Sequence, residues 1–207
     1  MKTTVCKTAV FLLLLSLVLT ALSGCAGESD AEFLALTESL LEKSAAVNEI
    51  CFGEGLAYDE KNGYTVSGYA EASEESRAKY GIQTVEELKA LIAAVYSVAM
   101  VDHIDRVVFN PVKEESTFLT YRRYFDAMDG EGGVALMVKK DYLPIAHGDV
   151  SYKNLQIDSH GRNRATVLVD ITVTDGKSTR TYESVSLAMR REDGAWKFDT
   201  VTYASLK

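Results

Sequence analysis

The sequence predicts an α+β protein in which N-terminal helices pack on a curved antiparallel sheet that ends in a three-stranded meander. Two patterns predict this class. Apolar residues recur at helical spacing in the first half of the folded region, whereas they alternate with polar residues in the second half. Helices followed by long antiparallel strands are typical of α+β proteins, and a curved sheet wrapped around the helices would bury the alternating apolar face.

The first helix is expected to run from about Ala31 to Glu49. Ser29 and Glu32 have the spacing of a capping box, and Gly53 and Gly55 follow at the other end, where glycine commonly stops a helix. The apolar stripe of this helix consists of Phe33, Leu36, Leu40, Val47 and Cys51.

Two further helices follow. Thr84 and Glu87 form a second capping box, which opens a helix to about Tyr96. Ser97 can cap a third helix through Val108, and Asn110-Pro111 then stops it. The charged stretch Glu71–Lys79, before these helices, is interpreted as a loop or a weak helix.

Strands are expected on both sides of the helices. The early ones are Leu56–Tyr58 and Tyr64–Tyr69 around the turn Asn62-Gly63, and the later ones are Phe118–Phe125 and Gly133–Lys139 around Asp129-Gly130, followed by Ser151–Ile157.

The meander is the clearest β pattern in the chain. Its strands are Arg162–Val173, Ser178–Arg190 and Ala195–Tyr203, joined at Asp175-Gly176 and Asp193-Gly194. In the first of them, alternation places Asp170 on the face opposite to Val167 and Val169.

The N-terminus has the form of a signal segment. Lys2 and Lys7 precede an uncharged apolar run, Thr8–Ala21, which is shorter than the roughly 20 residues of a membrane-spanning helix. The motif Leu22, Ser23, Gly24, Cys25 then resembles the lipobox of bacterial lipoproteins. That resemblance implies cleavage after residue 24, lipidation of Cys25 with acyl chains such as palmitate, and an extracytoplasmic location at the cell membrane. The expected organisation is a signal peptide over residues 1–24, a lipidated tether over 25–30 and a single α+β domain over 31–207.

Composition excludes some classes of function. The net charge is −8 and the signal segment contributes two lysines, so the mature domain is more acidic still and a poor match for nucleic acid. Of the three cysteines, Cys6 lies in the signal segment and Cys25 in the lipobox. Cys51 alone remains, which predicts a domain without an internal disulfide and a buried apolar thiol.

Two family resemblances concern the folded region. The segment Arg191–Phe198, with its Asp193-Gly194 turn before Trp196, resembles the last hairpin of nuclear-transport-factor-like domains, which have a cone-shaped α+β fold. The early helix, the Tyr64–Tyr69 strand and the Thr84–Tyr96 helix are also similar to secreted inhibitors of cell-wall endopeptidases.

The resemblance to the cone fold implies a place for a catalytic acid or base. Enzymes of that fold hold a carboxylate in the mouth of the cone, where burial raises the carboxyl pKa. The candidates here are Asp170, Asp102 and Asp105. The alternative, which we favour for Asp170, is that its side chain points to water on the outer face of the sheet.

The sequence predicts no metal site and no cofactor. His103, His147 and His160 are not spaced as zinc ligands, and there is no nucleophile elbow, phosphate loop or dinucleotide fingerprint.

A small cationic and aromatic run, Tyr121, Arg122, Arg123 and Tyr124, is the candidate binding site on this acidic chain. Such a patch could bind an anionic glycan or a peptide carboxylate, although an arginine pair is more often a solvated strand face.

These observations favour a membrane-tethered protein of the cell envelope with a non-catalytic binding domain for a protein, cell-wall or small-molecule ligand. Two alternatives remain open. One is a proton-transfer enzyme that uses a cone cavity, and the other is an inhibitor of a cell-wall hydrolase.

Overall fold

The computed structural model describes residues 28–59, 63, 65–110, 112–113, 120–129, 132–144, 148–176 and 178–203. Within these residues the helices are α1 (Asp30–Phe52), α2 (Glu74–Tyr80), α3 (Val85–Val95) and α4 (Val98–Val108). The strands are β1 (Thr65–Val66), β2 (Tyr69–Glu71), β3 (Val112–Lys113), β4 (Thr120–Tyr121), β5 (Tyr124–Met128), β6 (Val134–Lys139), β7 (Asp149–His160), β8 (Arg164–Thr174), β9 (Thr179–Glu192) and β10 (Ala195–Phe198). The predicted α+β class is confirmed.

The helix ends are built as their local sequences predict. The Ser29 hydroxyl accepts from the Glu32 N–H and the Glu32 carboxylate accepts from the Ser29 N–H, which completes the first capping box. Thr84 forms the second capping box at the start of α3, and Ser97 caps α4. The charged stretch after Glu71 contains helix α2, whose N-cap is Ser73.

One four-stranded antiparallel sheet has the order β1-β2-β6-β5. The stretch after Gly63 differs from the single strand predicted there, because Thr65–Val66 pairs back on Tyr69–Glu71 around a turn at Gly68, where φ is +77°. Asn62 of the predicted turn lies outside the described residues. The β5–β6 hairpin has the register Tyr124↔Val138 to Met128↔Val134. Its second strand agrees with the predicted Gly133–Lys139, whereas its first strand begins at Tyr124 and shares only two residues with the predicted Phe118–Phe125.

The second sheet is a meander of four antiparallel strands in the order β10-β9-β8-β7. Strands β7, β8 and β9 overlap the predicted Ser151–Ile157, Arg162–Val173 and Ser178–Arg190. The last strand, β10, ends at Phe198 rather than at the predicted Tyr203, and β7 makes the meander four-stranded instead of three-stranded. Along β8, buried and part-exposed residues alternate without a break. The alternation buries Ala165, Val167, Val169, Ile171 and Val173, as predicted. Trp196 and Phe198 extend the same buried face onto β10.

The two sheets are separate, and the described strands do not close into a barrel. The chain divides at Leu36 into two compact units, with residues up to Leu36 in one and Thr37–Lys207 in the other. Both four-stranded sheets and helices α2 to α4 belong to the second unit, which also holds the groove described next.

Candidate functional site

A groove lies between α1 and the edge strand β7, and we call it the α1–β7 groove. It consists of two cavities of about 620 and 530 Å³ that share Ala45 and Val150 in their linings. The larger cavity continues to α2 and to Tyr203, and the smaller one follows β7 as far as Leu155. Together they form one surface depression along α1.

The lining of the groove is strongly acidic. Glu38, Glu42 and Glu49 follow one face of α1, since their spacing of four and seven residues repeats along a helix. Glu54, Glu75 and Asp149 add three more carboxylates, against two lysines, Lys79 and Lys153. The groove therefore favours a cationic ligand over an anionic one.

Aromatic side chains stand at the end of the groove near α2. The Lys79 ammonium lies 4.8 Å from the centre of the Tyr80 ring. A hydrogen bond with Tyr80, and to a lesser extent the charge of Glu49, raise the pKa of Lys79. Tyr203 is half-buried with its ring centre 4.9 Å from that of Phe52, and burial raises the pKa of its hydroxyl. This end can therefore offer ring faces as well as charge to a ligand.

A buried polar network forms the floor beneath the groove. The Asn48 amide donates to the Thr202 hydroxyl at 2.8 Å, and the Tyr96 hydroxyl donates to the Asn48 carbonyl at 2.6 Å. Thr202 also donates to Ser44, and the Tyr152 hydroxyl donates to the Thr202 backbone carbonyl. Because β7, the C-terminal segment and α1 are joined through these bonds, the groove walls are held at a fixed separation.

The predicted binding run does not form one surface. The Arg123 and Tyr124 side chains are buried, at 1% and 0% exposure, whereas Arg122 is exposed. The Arg122 guanidinium lies 5.9 Å from the Phe125 ring centre, and its backbone exchanges hydrogen bonds with the Tyr69 hydroxyl. The Tyr121 side chain lies outside the described residues.

Arg123 and Tyr124 close the C-terminal end of α1. Arg123 Nη2 donates to the Gly53 carbonyl at 2.6 Å, and the Tyr124 hydroxyl donates to the Ile50 carbonyl at 2.8 Å. The last turn of α1 has no basic residue of its own, so a distant guanidinium supplies the positive charge that a helix C-terminus favours. Gly55, at φ +87°, passes so close that a Cβ there would collide with Arg123 Nη2 and the Tyr124 hydroxyl.

The Arg123 guanidinium is also stacked 3.9 Å from the Tyr142 ring centre. Its Nε and Nη1 atoms are buried without a hydrogen-bond partner among the described residues. Cys51 lies close enough for this charge to lower its pKa, but burial outweighs that effect and raises the thiol pKa to about 12. Cys51 is accordingly a free, buried and protonated thiol.

Asp170, the first catalytic candidate, points away from the buried face of the second sheet. Its carboxylate accepts from the Ser184 N–H at 2.8 Å and from the Asn154 amide at 2.7 Å, and these bonds lower its pKa. Asn154 and Ser184 both have positive φ and lie where the register of β7 and β9 against β8 shifts. Asp170 therefore holds two β-bulges, one on each side of its own strand.

The other candidates also lie at the surface. Asp102 is exposed, and Asp105 is part-exposed and pairs with Lys89 at 2.6 Å. Neither of them lines the α1–β7 groove, and nor does Asp170. His103 is exposed, His160 packs near Trp196 with ring centres 5.7 Å apart, and His147 lies outside the described residues. Across the described ranges, no group of three potential ligands could hold a metal ion.

The lipobox residues Leu22, Ser23, Gly24 and Cys25 lie outside the described residues. None of the helices in the described part of the chain has the length and apolar character needed to span a bilayer.

Sequence reasoning missed the groove because its signal is ambiguous. Glutamates at helical spacing ordinarily lie on the solvent-exposed face of a helix. They line a groove here because β7 lies beside that face. Comparison with known proteins supplies no further assignment, since no family model and no curated protein matches this chain.

Proposed function

We propose that the chain is a lipid-anchored protein of the bacterial cell envelope whose folded domain binds a ligand in the α1–β7 groove without transforming it. The lipobox motif supports the anchor. The groove itself carries the binding role, because two joined cavities of about 620 and 530 Å³ have the size of ordinary ligand sites.

The same groove argues for binding rather than for proton transfer. A catalytic carboxylate is expected in a dry cavity where burial shifts its pKa, but Glu38, Glu42 and Glu54 are exposed. At the groove floor, burial raises the pKa of the Tyr96 hydroxyl, which is hydrogen-bonded to Asn48 and Thr202.

Site-specific photocrosslinking in intact cells tests the binding role. A photoreactive phenylalanine analogue replaces Lys79, which is exposed inside the groove, and in a matched control it replaces Thr181, which is exposed on the outer face of the second sheet. We expect adducts of defined mass from position 79 and none from position 181. Equal adduct patterns at the two positions would contradict a binding role for the groove.

The anchor has its own test. Mass spectrometry of the protein from membranes should show acyl chains on an N-terminal Cys25, and Cys25→Ala should release the protein from the membrane fraction. An unmodified Cys25 in the native protein would rule out the lipoprotein assignment.

A further inference from the structure

The smaller cavity of the groove lies along the backbone edge of β7. Six consecutive residues, Val150–Leu155, line it. Val150 and Tyr152 pair with Val173 and Ile171 of the buried face, whereas Ser151 pairs with a residue of the outer face. Since consecutive residues that belong to both faces line one cavity, the cavity follows the edge that the two faces share. β7 is the terminal strand of its sheet, so this edge has no partner among the described strands.

The opposite wall is one face of α1. Glu38, Leu41, Glu42 and Ala45 lie on this face, at the spacing of a helical stripe. Glu38 and Glu42 are exposed, and neither belongs to an ion pair between described residues. The edge of a strand and a row of free carboxylates therefore face each other across the cavity.

The dimensions suit a short extended peptide. From Glu38 to Glu49, α1 rises about 16 Å, which corresponds to roughly five residues of a β-strand. The regular part of the β7 edge has the same length, because a bulge interrupts the register after Lys153. Glu38 and Glu42 are about 6 Å apart along the helix axis, close to the ~6.7 Å repeat of alternate side chains in a strand.

We infer that the α1–β7 groove binds an extended polypeptide segment bearing lysine or arginine at alternate positions, which adds to the second sheet as a strand beside Asp149–Lys153. Main-chain hydrogen bonds to the β7 edge supply the affinity, and the alternate basic side chains meet Glu38 and Glu42. The inference rests on the proposed function and specifies the ligand class for the same groove.

The probe is a fluorescently labelled eight-residue peptide of alternating Lys and Thr, titrated against the full chain in non-ionic detergent and followed by anisotropy. A second peptide has the same sequence with an N-methyl group on every residue, which keeps the side-chain charge but removes the N–H donors from both edges of the strand. The binding variant is Glu38→Gln with Glu42→Gln. The matched control is Glu86→Gln with Glu183→Gln, two exposed carboxylates outside the groove.

We expect the unmodified peptide to bind saturably. The groove variant should raise the dissociation constant of the peptide about tenfold, and the control variant should leave that constant within about twofold of the wild-type value. N-methylation should weaken peptide binding by about tenfold or more. No binding, equal loss in both variants, or equal affinity of the methylated peptide would overturn the inference, and circular dichroism of each variant verifies folding. Crosslinks from position 79 without peptide binding would refute the proposed ligand class but leave the proposed binding function in place. The absence of such crosslinks would refute the proposed function itself.

Discussion

Removing one hydroxyl at the end of α1 tests how that end is held. Tyr124 is fully buried, and its hydroxyl donates to the Ile50 carbonyl and accepts from the Leu56 N–H at 3.1 Å. In a continuing helix the Ile50 carbonyl would accept from the Glu54 N–H, but that N–H donates to the Glu49 carboxylate instead. Tyr124→Phe therefore leaves a helix-terminal carbonyl and a loop N–H buried without partners.

The expected loss of stability follows from these two groups. An unsatisfied buried donor or acceptor costs about 1–3 kcal/mol, and the ring itself is retained, so no cavity of significant size forms. We expect Tyr124→Phe to lower the free energy of unfolding by about 2–4 kcal/mol at pH 7. The difference in the free energy of unfolding between the wild type and Tyr124→Phe should narrow above pH ~10. Burial raises the pKa of Tyr124 in the folded protein to about 12, whereas the phenol of the unfolded chain ionises near pH 10, so rising pH stabilises the unfolded wild type alone.

Urea unfolding followed by circular dichroism measures this change. Tyr58→Phe is the matched control, since Tyr58 is part-exposed and its replacement should alter the free energy of unfolding by less than about 0.5 kcal/mol. If Tyr124→Phe were as stable as that control, the hydroxyl would not hold the end of α1.

Three further predictions concern other buried or bridging groups. Asn48→Ala should lower the free energy of unfolding by about 1–3 kcal/mol in urea titrations, because the Tyr96 and Thr202 hydroxyls each lose one buried hydrogen bond while they keep the bond to each other. A change below about 0.5 kcal/mol would contradict a structural network. Asp170→Asn should lower the thermal stability of the protein at pH 7. The difference in stability between the wild type and this variant should shrink below about pH 4 and disappear once the pH is below the lowered pKa of Asp170 in the folded protein. A difference that does not change with pH would count against the bulge contacts. Iodoacetamide labelling read by peptide mass spectrometry should leave Cys51 unmodified at pH 8 in the folded protein and modify it in urea, whereas rapid labelling of the folded protein would exclude a buried, protonated thiol.

Features governed by neighbouring residues could be predicted from the sequence. The Ser29 and Thr84 capping boxes and the Asp193-Gly194 turn depend on residues a few positions apart, and all three form as expected. The alternation along β8 likewise identifies the buried face, because one buried face forces period two on any strand.

Features that depend on distant partners could not be predicted. From the sequence, Arg123 is expected to be a surface cation. It is buried because it bonds to the Gly53 carbonyl at the end of α1, some 70 residues earlier in the chain. The outward position of Asp170 follows from alternation, but its role requires bulges on two neighbouring strands. The groove depends on β7 lying beside α1, a relation that no local pattern encodes.

Hydrogen exchange along β7 tests the binding account most directly. The alternating Lys–Thr peptide is added to the full chain, and exchange of the backbone amides in Asp149–Lys153 is compared with and without it. Strand addition predicts slower exchange in this segment and no change on the outer strand β10, because a paired edge amide is shielded from solvent. Unchanged exchange in β7 at a saturating peptide concentration would contradict binding at the edge of the sheet.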